Sequence, residues 1–500
     1  MPAVAGYRLL ATNASAVLAG RLVAIGLGVV LATILFKSLG PQQYGAWSLL
    51  TLVAGYSTLI DFGLAAAVER RVASLVARDA LDRVAGTISS TVMALSVVVA
   101  AAEVLVIGVL LVAPHLIDDS GLRGALFVLP VCTGVTLTSL AVGAVLAGQQ
   151  RMRTLYFWRT CGLAFGTAAV IAIVQFGVLR LDVLLLVYTT GSIVTLAMAW
   201  RAIRRSIPGV RLALEWDRDA VRDLVMFGGV IQMATMVPPL AEYAFRLIIG
   251  GRFGLAFAGV YDLGARAAVV PRSLAGALFS AMVPFAVLTE RREGAMGLAR
   301  LVRATTRHVA LFIVPATALL VAFAVPIVRV WLGDTELTPQ VRRCFQVVLV
   351  AHALGALAVP AAMVGRALGR PAAEAVATCT AFVAALVTAQ VAPSFVAAAG
   401  LLWLLPAIGG FMAWAWLGRT LHFGFVTVSD FVLTSAVALL TFWAARSLVS
   451  DADAPTALLV RVVAASGAAA LLACLAELTR PDGRALARGL LVRLRPPHPE

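Results

Sequence analysis

The chain has 500 residues, 61% hydrophobic and 13% charged, with a mean hydropathy of +0.96. A soluble protein of this length could not keep so much apolar surface out of water, so the composition excludes a soluble enzyme and specifies an all-α polytopic membrane protein. The net charge of +15 comes from 39 Arg and one Lys that fall mostly between apolar segments, where charge reports membrane topology and not a nucleic-acid partner.

A crossing helix needs about 20 apolar residues, and about 14 segments meet that measure. The first six are Ala14–Phe36, Tyr44–Ala67, Thr87–Ala113, Leu122–Ala147, Leu155–Leu179 and Val183–Trp200, followed by an Arg-rich linker from Arg201 to Arg222. The next six are Asp223–Ile249, Leu255–Leu288, Val309–Leu332, Val341–Leu368, Ala372–Ala392 and Phe395–Leu417. Only Pro393-Ser394 divides the eleventh from the twelfth. Phe431–Val449 and Pro455–Leu478 precede a basic end, RLRPPHPE. The expected organisation is an N-terminal lobe (1–206), a pseudo-symmetric C-terminal lobe (207–424), an extra helix pair (425–479) and a basic cytoplasmic tail (480–500).

Loop charges support that count. An N-terminus in the cytoplasm puts Arg70, Arg71, Arg78 and Arg83 in one inner loop and Arg151, Arg153 and Arg159 in the next. Arg201, Arg204, Arg205, Arg211, Arg218 and Arg222 fall in the third, and Arg291, Arg292, Arg300, Arg303 and Arg307 in the fourth. About 27 basic residues then lie inside against about 8 outside, which places both termini in the cytoplasm. No cleavable signal peptide is expected, because MPAVAGYRLLATN runs directly into the first helix. The outer connections, such as Lys37–Gln43, His115–Gly121 and Asp334–Gln340, are too short for an extramembrane domain.

A repeat underlies the two halves. Leu39-Gly40, then Gly45-Ala46-Trp47-Ser48-Leu49, matches Phe253-Gly254, then Gly259-Val260-Tyr261-Asp262-Leu263, 214 residues later. Each stretch joins the first two helices of its half. A parallel repeat of this kind predicts a substrate site between the lobes.

An ionised side chain at the bilayer centre costs roughly 3 to 15 kcal/mol, so those within the spans are candidate site residues. Arg21 in the first helix either snorkels to the headgroups or pairs with Asp61 in the second, at similar depth by the helical rise. Glu103, isolated in the third helix, is a proton-site candidate or a helix-packing hydrogen-bond former. Glu242 and Arg246 stand four apart, as do Asp262 and Arg266, and either pair can close on itself. Pro238-Pro239 and Pro271 predict kinks beside them. Projected on one helix, Asp262, Arg266 and Arg272 span an arc of about 120°. Arg272 has no acid at helical spacing, and a buried Arg without a fixed carboxylate is what an anionic ligand requires. His308 and His352 read as packing histidines. The five cysteines show no metal-ligand spacing and suggest no disulfide framework. No phosphate-binding Gly-rich loop with Lys, no metalloprotease His pair and no nucleophile–base set is visible, so no cofactor is expected.

The stretch LFKSLGPQQYGAWSLLTLVAGYSTLIDFGLAAAVERRVA resembles the first hairpin of the polysaccharide-biosynthesis flippases, part of the multidrug/oligosaccharidyl-lipid/polysaccharide exporter superfamily. The likeness lies in Leu-Gly-Pro before the Tyr-Gly pair, then Asp-Phe-Gly-Leu, then Arg70-Arg71. EYAFRLIIGGRFGLAFAGVYDLGARA is similar to that family's second-lobe opening, with Phe245 where an acid is often found beside Arg246. The resemblance implies two six-helix bundles plus two C-terminal helices. It also implies translocation of a polyprenyl-diphosphate-linked oligosaccharide across the bacterial inner membrane, with H+ or Na+ coupling and polysaccharide assembly proteins as possible partners. Arg21, Arg246, Arg266 and Arg272 would supply the fork-shaped donors a diphosphate needs, while Asp61, Glu103, Glu242 and Asp262 would serve ion coupling or gating. Two alternatives stand beside this reading: a multidrug or cation antiporter of the same superfamily, and an integral-membrane glycan polymerase or ligase.

Overall fold

The computed structural model describes residues 2–55, 64–78, 80, 83–112, 120–207, 237–269, 272–273, 282–333, 335–367, 372–421, 428–448, 461–462 and 464–468. Among them there is no strand. The chain forms two compact units, Met1–Leu263 and Gly264–Glu500.

The first unit holds α1 (Pro2–Gly55), α2 (Leu64–Ala77), α3 (Val84–Val112), α4 (Ser120–Gly148), α5 (Met152–Gln175), α6 (Leu181–Ser206) and α7 (Val237–Phe253). The unit boundary falls inside α8 (Leu255–Ala268). Where the sequence predicts a connection over Lys37–Gln43, the backbone is helical on both sides of a single kink in α1. Gly40 turns it at φ 77°, a region other residues seldom enter, and Pro41 follows with no N–H to offer the preceding turn. Gly254, 214 residues on, separates α7 from α8 at φ 98°. The repeat therefore extends to the backbone conformation of its hinge.

The two hairpins also touch reciprocally. A Cβ on Gly45 would lie 1.8 Å from the Leu255 carbonyl oxygen, and one on Gly259 would lie 3.2 Å from that of Pro41. Positions 41 and 255 are again 214 apart, so the same contact is made from each side. Elsewhere in this unit, Val68 and Val72 of α2, Ile88 of α3, Val145 and Leu146 of α4, Leu155 of α5 and Ile203 of α6 form one buried core. Gly162, Gly166 and Gly191 let the α5 and α6 backbones meet, the small-residue packing that membrane helices use where no hydrophobic force drives them together.

The second unit continues with α9 (Met282–Ala322), α10 (Ala324–Leu332), α11 (Thr338–Leu357), α12 (Val359–Ala367), α13 (Ala372–Val391), α14 (Phe395–Leu421) and α15 (Val428–Leu448). The interval 289–308, expected as an inner loop, is helical and bends at Gly294, with φ 63°. The reason is amphipathicity: Leu298, Val302, Thr306 and Val309 are buried while Arg300 and Arg303 are exposed, a spacing that hydropathy averaging overlooks. The expected eighth span, Leu255–Leu288, is interrupted as well. α8 ends at Ala268 with a turn at Val269, and helix resumes at Arg272-Ser273 beyond Pro271. The expected ninth and tenth spans break at Phe323 and Ala358, and Pro326 and Pro360 sit in the first turns of the helices that follow, where no N–H is required. At the predicted eleventh–twelfth boundary, Ser394 caps α14 by accepting the Ala397 N–H at 3.3 Å.

Eight helices among the described residues are long and apolar enough to cross a membrane. The six other expected spans are split by a turn or lie partly outside the described residues. Val376, Val383, Val387 and Val391 stand exposed along one side of α13, as a lipid-facing surface requires. The chain is a multi-pass membrane protein.

The Gly45 contact generates a stability prediction. Gly45→Ala should destabilise by about 1–3 kcal/mol, the cost of overpacking, because its neighbour is backbone and cannot rotate away. Gly251→Ala, with nothing within 4 Å of the added carbon, should be neutral or mildly stabilising. Thermal melting of the detergent-purified proteins checks both, and equal midpoints for Gly45→Ala and the parent would refute the close approach.

Candidate functional site

The reciprocal hairpin contact carries a buried charge cluster. Arg246 projects from α7 with only 5% of its side chain exposed, and its Nη1 donates to Asp262 Oδ1 at 2.7 Å. Its Nη2 donates to Glu242 Oε1 at 2.9 Å, the pairing that the four-residue spacing predicts. Nη1 also reaches the Ser48 carbonyl at 3.4 Å. Asp262, fully buried on α8, takes the Tyr44 hydroxyl on its other oxygen. The guanidinium carbon lies 5.5 Å from the centre of the Tyr261 ring, which packs edge-on against Phe245. One cation thus sits between two carboxylates, with Tyr44 and Ser48 of the first hairpin completing the set. Phe245, at the position where the resemblance expects an acid, belongs instead to the apolar wall.

The arrangement exceeds what the sequence reading held. It matched Asp262 with Arg266, four residues on. The bonds that hold Asp262 in the first unit come from Arg246, across the α7–α8 turn, and from Tyr44, 218 residues away. Tyr44 and Ser48 were not singled out. Their place in the repeated motif, aligned with the neighbourhood of Asp262, was the available signal.

A second cluster lies within the second unit. Arg272 is part-buried, its guanidinium carbon 5.6 Å from the centre of the Trp403 ring on α14. It makes no hydrogen bond or ion pair among the described residues. Glu374 of α13 and His352 of α11 lie within its electrostatic reach. His352 is 1% exposed and packs on Trp403 with ring centres 4.3 Å apart. Both of its ring nitrogens are buried with no hydrogen-bond partner among the described residues, so it is not the satisfied packing histidine that the sequence suggested. The helical-spacing test for an acid near Arg272 could not find Glu374, which is about 100 residues downstream on another helix.

The remaining candidates are dispersed. Arg21 is exposed on α1, next to Gly20, which faces Tyr156 and Thr160 of α5. Asp61, its expected partner, lies outside the described residues. Glu103 is part-buried on α3, with Oε2 buried and unpartnered among the described residues. Arg266 is part-buried in the last turn of α8. Among the described residues no three His, Cys, Asp or Glu side chains are grouped as a metal ion would need.

Comparison with known proteins places this geometry in context. The model of a family described as "Polysaccharide biosynthesis protein" matches residues 30–337. No curated protein matches the sequence. Among solved structures, the chain is similar to the lipid II flippase MurJ in an inward closed conformation, at 12% identity and a TM-score of 0.68, covering 94% of this chain and 98% of that one. It is also similar to an inward-facing multidrug resistance MATE transporter of the MOP superfamily, at 13% identity and a TM-score of 0.56, covering 80% and 94%. A MATE transporter from Vibrio cholerae follows at 13% identity and a TM-score of 0.54, covering 83% and 97%. At these identities the likeness is one of fold.

The cluster around Arg246 predicts a graded series. Arg246→Met should cost about 3–5 kcal/mol, because it leaves two carboxylates without their cation. Asp262→Asn should cost less, since Arg246 keeps Glu242 and the amide still accepts from Tyr44. Glu242→Gln should cost least, its side chain being 13% exposed against 0% for Asp262. Combining Arg246→Met with Asp262→Asn should recover part of the loss. Thermal melting of the purified variants gives the order, and equal losses for all three would show that the carboxylates do not share the Arg.

Proposed function

We propose that this chain, which belongs to the polysaccharide biosynthesis protein family, flips a polyprenyl-diphosphate-linked oligosaccharide or a related lipid-linked glycan across the bacterial inner membrane for surface polysaccharide biosynthesis. One observation carries the substrate reading. Arg272 is a part-buried permanent cation whose fork-shaped donors meet no acceptor among the described residues, and an oxyanion is the ligand that compensates such a group. Arg266, six residues earlier in the chain, adds positive charge for a diphosphate, while the prenyl tail remains in membrane lipid. Arg246, already held by Glu242 and Asp262, serves the gate. Alternating access then proceeds by parting the two hairpins, which breaks the Tyr44–Asp262 and Arg246–Ser48 bonds but keeps the cation with its carboxylates. Glu103, with its orphaned carboxyl oxygen, and Asp61 are the groups assigned to H+ or Na+ coupling. A cation antiporter would need accessible acids, and the two best placed here are engaged by Arg246. No residue is assigned a catalytic role.

Arg272→Ala should insert at normal abundance and lose glycan export, and Arg272→Lys should restore only part of it, a point charge replacing the planar fork. Abundance and export measured in the same cells test this; normal export from Arg272→Ala would remove the anionic substrate from the proposal. Topology is tested separately: a cysteine at Thr338 should react with an impermeant reagent from outside, and one at Arg205 should not. Reaction of both from one side would overturn the count of 14 spans.

A further inference from the structure

We propose that His352 is a second donor in an oxyanion site completed by Arg272 and Trp403, and that a phosphate group is its ligand. The inference rests on the flippase reading for its substrate but on separate observations for its geometry. Burying a polar nitrogen without a partner costs enough that nearly all such atoms find one, and His352 has two at 1% exposure. A neutral imidazole has one N–H to donate, and a phosphate oxygen accepts it at little cost in geometry.

The surroundings favour an anion over another apolar packing partner. Arg272 stands 5.6 Å from the centre of the ring on which His352 packs at 4.3 Å, so the two polar groups share Trp403 as a common wall. Gly355, three residues beyond His352 on α11, faces Arg272 and Ala407. A carbon added there would lie 3.9 Å from both Cζ and Nη1 of Arg272, so the guanidinium rests against bare α11 backbone. Arg272 presents five donors and no acceptor, and His352 presents a donor against the same Trp403 ring. Glu374 is within electrostatic reach and offsets part of the positive charge, which suits reversible capture. A phosphate could arrive as the head of a prenyl diphosphate or as a free anion, and the chemistry of the site is the same for both.

The test uses full-length protein in detergent and titration calorimetry with three probes: farnesyl diphosphate, inorganic pyrophosphate and farnesol. The parent should bind a phosphate-bearing probe and not farnesol. His352→Phe keeps a ring against Trp403 but removes both nitrogens, and it should weaken that binding about tenfold or more, as loss of a charge-assisted hydrogen bond does. His352→Asn, which restores a donor, should recover part of it. Gly355→Val leaves His352 intact, displaces the guanidinium, and should weaken the same probe. Tighter binding of farnesyl diphosphate than of pyrophosphate identifies the lipid head as the source, whereas equal binding identifies a free anion; either bears out the site if it depends on His352. Parent affinity in a folded His352→Phe protein, judged by an unchanged melting midpoint, overturns the inference, as does farnesol binding as well as the diphosphate. Should His352→Phe not fold, unchanged binding by Gly355→Val overturns it. Export separates the two readings: if Arg272→Ala abolishes export while His352→Phe binds and exports normally, only this inference fails. If cells lacking this protein export glycan normally, the flippase reading fails.

Discussion

Asp262 is fully buried among apolar side chains, and Arg246 and Tyr44 occupy its two oxygens. Everything at the meeting of the hairpins is arranged around that requirement. The cation must approach from α7, so α7 and α8 must fold back on one another at Gly254. The hydroxyl must approach from the other hairpin, so Gly45 and Gly259 must carry no side chain. A buried ion pair is weak evidence for stability, since a well-packed apolar substitute of the same volume is often as good. Its retention here, with a member drawn from the other hairpin, suits an element that has to separate and close again in one register.

The two clusters differ in how their cations are satisfied, and that difference organises the functional reading. Arg246 has two carboxylates and a backbone carbonyl. Arg272 has an aromatic face, a distant acid and an imidazole with idle nitrogens. The first is complete without a ligand. The second has no carboxylate or carbonyl bonded to its cation among the described residues, and the chain belongs to a family described as polysaccharide biosynthesis proteins.

Much of this was legible in the sequence, for physical reasons that also mark where legibility ended. Hydropathy and the loop arginines announced helices and membrane because those signals are summed over twenty residues. The hinge glycines were visible through the 214-residue repeat, and Glu242–Arg246 through the helical period. The same averaging hid the helix over 289–308, whose alternating Arg and Leu cancel in a window. Tertiary partners were beyond reach. No periodicity links Tyr44 to Asp262, and nothing local joins Glu374 or His352 to Arg272. His352 in particular reads as an ordinary core residue until its empty nitrogens are seen.

The reciprocal backbone contact has an electrical consequence. With Gly45 and Gly259 pressed against opposing carbonyls, no layer of water fits between the hairpins. Admitting one requires a separation near the diameter of a water molecule, about 2.8 Å. Small ions cross membranes along wetted paths, and here main chain packs on main chain while the polar side chains beside it are held by one another. A contact of this kind leaves no wetted path through the seam, so protons would gain no shortcut there that drains the membrane potential.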